Sequence, residues 1–335
     1  MWDYVTPQDY GAFGDGVSDD ALAFQNAVNN SAQYPVYVPR TPNGYALGST
    51  VILKGSPYPG TPPPYSPSNP APPTWQILQG SGALLKAASG FAGSALIQIG
   101  SSGTGHNGWN VKISGLTFDM TNATFFPSAA IYFDTADQSY PTIMEMSFIR
   151  LTDLVFQNCF MAITDVLIPG NVTASTCPVN DLQVINVLCR QLTGRPQIAL
   201  ARSAGFILFR DVHVDFEFNS SWPTMGPLAF VGSNPVALAQ FGAVSIAKST
   251  GGVATSLYPA IGGLEFERFD INSGNGIDNS TAGLSIIGTP GGLLAGNSAV
   301  YLTRVSTDGT AGIGIFIEYV TAVFGKDLCN RSRPA

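Results

Sequence analysis

Over most of the chain, apolar and polar residues alternate in short runs bounded by Gly, Asn, Ser or Pro. The clearest runs are WQILQGSGALLKAA (75–88), VKISGLTFDM (111–120), FIRLTDLVFQN (148–158) and LQVINVLCR (182–190). They are followed by FILFRDVHVDFEF (206–218), AVSIA (243–247), LEFERFDIN (264–272) and VYLTRVSTDG (300–309). A period of two marks a strand with one buried face. Helical spacing is read in one place, where Ala21, Phe24, Ala27 and Val28 form a single apolar stripe. Ser18 stands at the N-cap position of that helix, Asp19 and Asp20 fall in its positive first turn, and Asn29, Asn30 and Ser31 end it. The predicted helix runs 18–28, with short strands at YPVYVP (34–39) and STVIL (49–53) after it.

Aligning the recurrent apolar step at Leu116, Leu154, Val187, Val212, Val244, Phe269 and Val305 gives spacings of 38, 33, 25, 32, 25 and 36 residues. Such spacings suggest one supersecondary unit per repeat, a solenoid, whereas a sandwich would show strands every 8–12 residues or so joined by hairpins. The predicted fold is therefore all-β, a right-handed parallel β-helix. A solenoid must cover its open end, and the single helix is assigned that work. The chain divides into a cap with first strands (1–54), a proline-rich surface loop (55–75), the β-helix (76–325) and a tail (326–335). The loop, GSPYPGTPPPYSPSNPAPPTW, holds nine prolines and cannot join a sheet interior.

Composition agrees with that fold. Charged residues are only 11% of the chain and apolar ones 45%, with 37 glycines and 24 prolines, too few charges for the outer faces of a helical bundle. The net charge of −7, with no basic cluster, argues against nucleic acid as a partner. Four cysteines without metal spacing suggest buried thiols, with one bridge among Cys159, Cys177 and Cys189 left open. No cofactor or metal is implied, and no apolar run is long enough to cross a membrane. MWDYVTPQDYG lacks the pattern of a signal peptide, which leaves a trimmed signal or another export route such as assembly into a particle.

The opening, DYGAFGDGVSDDALAFQNAV (9–28), resembles the N-terminal signature of the pectate-lyase-like superfamily of right-handed β-helix proteins. The similarity is strongest to the branch with phage tailspike depolymerases and fungal-type glucanases. Asp9, Tyr10, Gly11, Ala12, Gly14, Asp15, Gly16, Asp19, Asp20, Ala23, Phe24, Gln25, Ala27 and Val28 carry it. YPVYVP, GYALGSTVIL and ILQGSGALLKAA extend it to about residue 90, while 111–325 match as a pattern and the proline-rich insertion departs from it. The resemblance implies a homotrimeric, carbohydrate-directed protein, extracellular or virion-associated, that degrades or binds polysaccharide. It implies that Asp15, Asp19 and Asp20 are structural.

The residues themselves suggest where chemistry sits. With Val212, Val214, Phe216 and Phe218 inward, Asp211, His213, Asp215 and Glu217 line one outward face. Glycoside hydrolysis needs one protonated and one ionised carboxyl, and crowding separates their pKa values. Asp215 and Glu217 are the expected pair, supported by Asp211, His213 and Arg190. Stacking places Asp119, Gln157, Arg190, Asp215 and Asn272 in one outer ladder, with Glu265, Glu267 and Asp270 near its other end and a bulge expected at Arg268 that leaves their direction open. Trp109, like Trp75 and Trp222, offers a face for a sugar ring, or a packing element. His106 reads as a turn residue. Three functions remain open: a hydrolase, a lyase using His213 with Arg190, Arg195 or Arg210, and a glycan-binding module without turnover. A calcium loop over Asp270, Asn272 and Asp278 is disfavoured by its misplaced Gly and Glu.

Overall fold

The computed structural model describes residues 4–31, 34–55, 75–100, 108–124, 128–134, 146–165, 179, 181–192, 198–203, 206–216, 244–248, 263–273, 284–287, 299–308, 315–318 and 322–331. The expectations at Glu217, His106, Trp222, Cys177, Arg195, Asp278 and most of the proline-rich segment lie outside them.

The chain is a right-handed parallel β-helix built from two parallel sheets. The wide sheet is made of β1 (Val36–Val38), β2 (Tyr45–Leu47), β4 (Gln76–Ala87), β6 (Val111–Asp119), β8 (Ile149–Gln157), β10 (Leu182–Leu192), β12 (Ile207–Phe216), β14 (Leu264–Ser273), β16 (Ala299–Asp308), β18 (Ala322–Lys326) and β19 (Cys329–Arg331). The narrow sheet is made of β3 (Val51–Leu53), β5 (Ala95–Ile99), β7 (Ala129–Phe133), β9 (Met161–Thr164), β11 (Ile198–Ser203), β13 (Val244–Lys248), β15 (Leu284–Ile287) and β17 (Ile315–Glu318). Each coil contributes one long and one short strand, and the apolar interior lies between the sheets. Like side chains stack along the axis there. Phe118 lies on Phe156 at 5.2 Å between ring centroids, and Phe209 on Phe266 at 5.1 Å.

The long strands bend at one residue in the left-handed conformation. Gly115, Asp153, Asn186, Asp211, Arg268 and Arg304 occupy this corner with φ of 65°, 56°, 54°, 53°, 51° and 54°. Asp, Asn and Gly enter this region at low cost, which explains four of the corner types but not the two arginines. The corner inserts an outward residue without an inward one, so in β8 Thr152 and Asp153 both face away while Leu151 and Leu154 stay buried. Side chains on both arms thus keep their core register.

The apolar step used for the repeat is in register from Leu154 through Val187, Val212 and Phe269 to Val305. Val244 is a correction, because it belongs to the narrow sheet in β13 between Ile198 and Leu284. The long-strand spacing from Val212 to Phe269 is therefore the whole 57 residues.

The cap also differs in detail. Its helix α1 spans Ala21–Asn30, and Asp20 rather than Ser18 is the N-cap residue. Asp15 accepts from the Val17 and Ser18 backbone N–H groups, and from the Ser18 hydroxyl, and these bonds hold its carboxyl below the ordinary range. Ser18 is thus spent on a turn before the helix begins. Asp19 accepts from Ala21 N and Gly48 N at 2.9 and 2.7 Å, and Asp20 from Phe13 N and Gly14 N at 2.7 and 3.1 Å. A Cβ on Gly48 would lie 2.3 Å from Asp19 Oδ2, so any larger residue there displaces the Asp19 carboxylate from its bond. Gln25 closes the narrow sheet: its amide donates to Ile52 O and its carbonyl accepts from Ile52 N, at 3.0 and 2.7 Å. One side chain thereby occupies the place of a missing strand at the β3 edge. Phe24, Ala27 and Val28 continue the core below it.

Candidate active site

β12 enters the wide sheet as FILFRDVHVDF, turns its corner at Asp211, and then alternates. Val212 and Val214 are buried, and His213 and Asp215 face outward. β14 runs beside it with Asp270 opposite His213 and Asn272 opposite Asp215. His213 Nε2 lies 2.8 Å from Asp215 Oδ1, and Nδ1 lies 2.6 Å from Asp270 Oδ2. Asn272 donates its amide to Asp215 Oδ1 at 3.3 Å, and the Ser306 hydroxyl of β16 donates to Asp270 Oδ1. The three titratable side chains are a little over one-third exposed, so solvent and a ligand both reach them.

A neutral imidazole has one donor and one acceptor nitrogen, while an ionised carboxylate only accepts. For both carboxylates to hydrogen-bond the ring, the set must hold one proton beyond the neutral ring, on the imidazole or on one of the two acids.

A separate ion cluster fills the corner beside this trio. Arg210 donates to Glu267 Oε2 at 2.5 Å, and Arg268 donates to Asp211 at 2.5 and 2.8 Å and to Glu267 Oε1. The Arg268 guanidinium holds the Asp211 carboxyl below its ordinary range. Burial works to raise Glu267, but Arg210 and Arg268 outweigh it and hold that carboxyl low. Asp211, expected to support catalysis, and Glu267, expected to bind substrate, are thus engaged with guanidinium groups.

The remaining expected residues divide. Asn272 meets Asp215 as the ladder required. Gln157 pairs with Arg190 in register and donates to Asp119 at 3.2 Å. Asp119 also accepts from Thr121 N, Thr121 Oγ1 and Asn158, which makes it the anchor of a turn. Arg190 is a correction to the register: pairing between β10 and β12 shifts after Cys189, so Arg190 and Gln191 together oppose Asp215. Arg190 is exposed beside the trio. Glu265 faces outward on the other arm of β14, and Trp109 packs edge-on against Phe148 at 5.4 Å.

The sequence placed Asp270 near the end of the ladder without pairing it with His213, and gave no role to Ser306. The usable signal was the direct match of FRDVHVDF (209–216) with FERFDINS (266–273), corner on corner, which brings Asp270 to His213. Among the described residues, no group of three His, Cys, Asp or Glu is set to hold a metal ion. In the trio the carboxylates flank the ring instead of converging on one point. Cys159 and Cys189 are buried free thiols, pushed up by burial well beyond their ordinary range.

No family model and no curated protein matches the chain. Solved structures do. ORF18 of Geobacillus virus E2 is 15% identical with a TM-score of 0.43, covering 98% of this chain and 60% of that one. The tailspike protein of Acinetobacter baumannii phage AM24 is 12% identical with a TM-score of 0.45, covering 97% and 55%. The A-module of the Azotobacter vinelandii mannuronan C-5 epimerase AlgE6, at 14% identity and a TM-score of 0.29, covers 99% of this chain and all of its own. This chain spans little more than half the length of the two viral proteins, and the likeness is one of fold.

Proposed function

We propose that the protein degrades polysaccharide by hydrolysis, with Asp215 and Asp270 as the acid–base pair and His213 distributing the proton between them. The observation that carries this reading is the imidazole bonded at both nitrogens to carboxylates on an exposed coil face. With a proton on one acid, that arrangement holds the protonated and ionised carboxyls a glycosidase uses. The acids stand a ring and two hydrogen bonds apart, which favours the wide spacing of an inverting pair (about 6.5–9.5 Å) over the ~5–5.5 Å of a retaining one. Asn272 and Ser306 orient the two carboxyls through their remaining contacts.

A lyase reading is favoured by one observation, the exposed Arg190 beside the trio. There His213 would take the proton next to a uronate carboxylate and the guanidinium would neutralise that carboxylate. An extracellular or virion-associated setting and a homotrimer complete the proposal.

The test is incubation with panels of neutral and uronate-containing polysaccharides, following reducing ends and the ultraviolet absorbance of unsaturated uronates. Reducing ends without absorbance, and inversion at the anomeric carbon, are expected. Asp215→Asn and Asp270→Asn should each lower turnover by about 10²–10⁴-fold at an unchanged melting temperature. Absorbance with reducing ends selects the lyase, and no product across the panels overturns both in favour of a binding module. Light scattering of the purified protein checks the trimer.

A further inference from the structure

On the arm of the wide sheet away from His213, where each long strand begins, half-exposed aromatic side chains recur along the solenoid axis. Trp75 precedes β4, Phe148 precedes β8, Phe206 precedes β12, and Tyr301 is the third residue of β16. Their fractional exposures are 39%, 40%, 38% and 43%. In the order of the sheet these are alternate strands, since β6, β10 and β14 lie between them. With adjacent parallel strands about 4.8 Å apart, Trp75, Phe148 and Phe206 stand about 9.6 Å apart along the axis in one column; Tyr301 lies two residues further along its strand and its ring leans back toward that column over Gly263.

The rungs between carry other residues at the same position. Asn110, Asp181 and Gly263 are the counterparts before β6, β10 and β14. Gly263 leaves the rings room to converge, and a Cβ placed on it would touch Phe206 at 3.6 Å and Tyr301 at 3.9 Å. Arg150 reaches along the same lip, its guanidinium 5.9 Å from the Trp75 ring centre while it donates to Asp181 O at 2.9 Å. Phe324 of β18 stacks on Tyr301 at 5.0 Å and extends the strip by one rung.

We infer that this lip is a second glycan site, a track on which a linear, uncharged polysaccharide lies parallel to the solenoid axis. The aromatic interval approximates two rings of an extended pyranose chain, so every second sugar meets an aromatic face. The hydroxyls between face the Arg150 and Asp181 rung. Tyr and Trp carry a polar edge beside an apolar face, as such contacts require.

Area argues against a protein occupant. At about 40% exposure of side chains of roughly 200 Å², the five rings offer about 400 Å², half the ~800 Å² one partner gives to a standard interface. The strip is also one ring wide and interrupted at Asn110, Asp181 and Gly263. The inference rests on the glycan reading for its class of ligand, but not on His213, Asp215 or Asp270.

The test uses the intact protein and cello-, xylo- and manno-oligosaccharides of increasing length, with tryptophan fluorescence and calorimetry as readouts. Binding that strengthens in steps of two sugars is expected. Phe206→Ala and Tyr301→Ala should each weaken it about tenfold, the loss of one aromatic contact of roughly 1.4 kcal/mol. Phe206→Trp should restore it, which separates a lost platform from a damaged fold. In the Asp215→Asn background the Phe206→Ala loss should persist, so failure of the catalytic reading leaves this one standing. No binding across the three series overturns the track, as does binding indifferent to Phe206→Ala, or a change of oligomeric state in Phe206→Ala and Tyr301→Ala.

Discussion

Asp20 in the cap and Asp215 on β12 are both aspartates held at fixed points of regular backbone, and they are bonded in opposite ways. Asp20 is buried and accepts from two main-chain N–H groups, those of Phe13 and Gly14. Asp215 is partly exposed and, among the described residues, bonds to the side chains of His213 and Asn272. The cap is the denser motif, with Asp15, Asp19 and Asp20 within six residues, yet every one of those carboxylates satisfies backbone donors. A carboxylate committed to the main chain holds a turn closed, whereas one committed to an imidazole can exchange a proton. The partner, and not the density of acids, distinguishes structure from chemistry.

The largest effects expected separate the two regions by readout. Asp215→Asn should cost turnover by orders of magnitude and leave thermal unfolding unchanged. Asp20→Ala should cost about 3 kcal/mol of stability, since it strands two N–H groups that had a charged acceptor. Its activity per folded molecule should match the parent. Denaturant titration paired with an assay at a temperature where both variants are folded checks the pair. A fall in turnover of folded Asp20→Ala, or a lowered midpoint in Asp215→Asn, would dissolve the distinction.

The same comparison explains what could be read in advance. The long strands were legible because one face is buried and the other wet, so residues such as Val212, His213, Val214 and Asp215 alternate in polarity. The short strands β5, β7 and β9 were not, because both of their faces are covered: Met161–Thr164 is buried throughout. A segment without alternation carries no period to detect. Overlooking the narrow sheet is what let Val244 pass for a rung of the wide one. The corner was half legible, since Gly115, Asp153, Asn186 and Asp211 are the types that accept a positive φ. Arg304 hides the same corner, whereas the bulge expected at Arg268 is there, with φ 51°. Its effect on the direction of the following residues was not fixed by sequence, so Asp270 was not assigned to His213, although Asn272 was assigned to Asp215.

Acid should expose a second difference between the regions. Burial raises the Asp20 carboxyl above its ordinary 3.8, against the two N–H bonds that lower it. The folded state then binds that proton more readily than the unfolded chain does. The Asp20 contribution is largest below the unfolded value and is lost as pH rises through the folded one. Asp211 has the reverse sign. Its bond to Arg268 lowers its carboxyl from 3.8, so the contribution is present above that value and is lost as pH falls through the folded one. Lowering the pH from neutrality to below about 4 should therefore loosen the corner cluster, and the Asp15 turn with it, while the Asp20 contacts hold. Asp211→Asn should flatten the acid limb of a plot of melting temperature against pH, with little change at neutrality, where an exposed ion pair contributes modestly. An acid limb identical to the parent's would show that the Arg268 pair does not contribute to folding.

The smallest effect concerns the corner itself, where the outer face is set by backbone and not by chemistry. Asn186 sits at φ 54° and donates its amide to Asp153 Oδ1 at 2.6 Å. Replacing it with Gly removes that bond but keeps the left-handed conformation free of strain, whereas Ala removes the bond and adds the Cβ penalty, about 1–2 kcal/mol. Asn186→Ala should therefore be less stable than Asn186→Gly by about 1 kcal/mol, the Gly variant having a more flexible unfolded chain to offset. Chemical denaturation of the two variants measures the difference directly. Equal stabilities would mean that the strand straightens when the amide is gone. The outward direction of His213 and Asp215 one coil later would then depend on Asp211 and Arg268 alone.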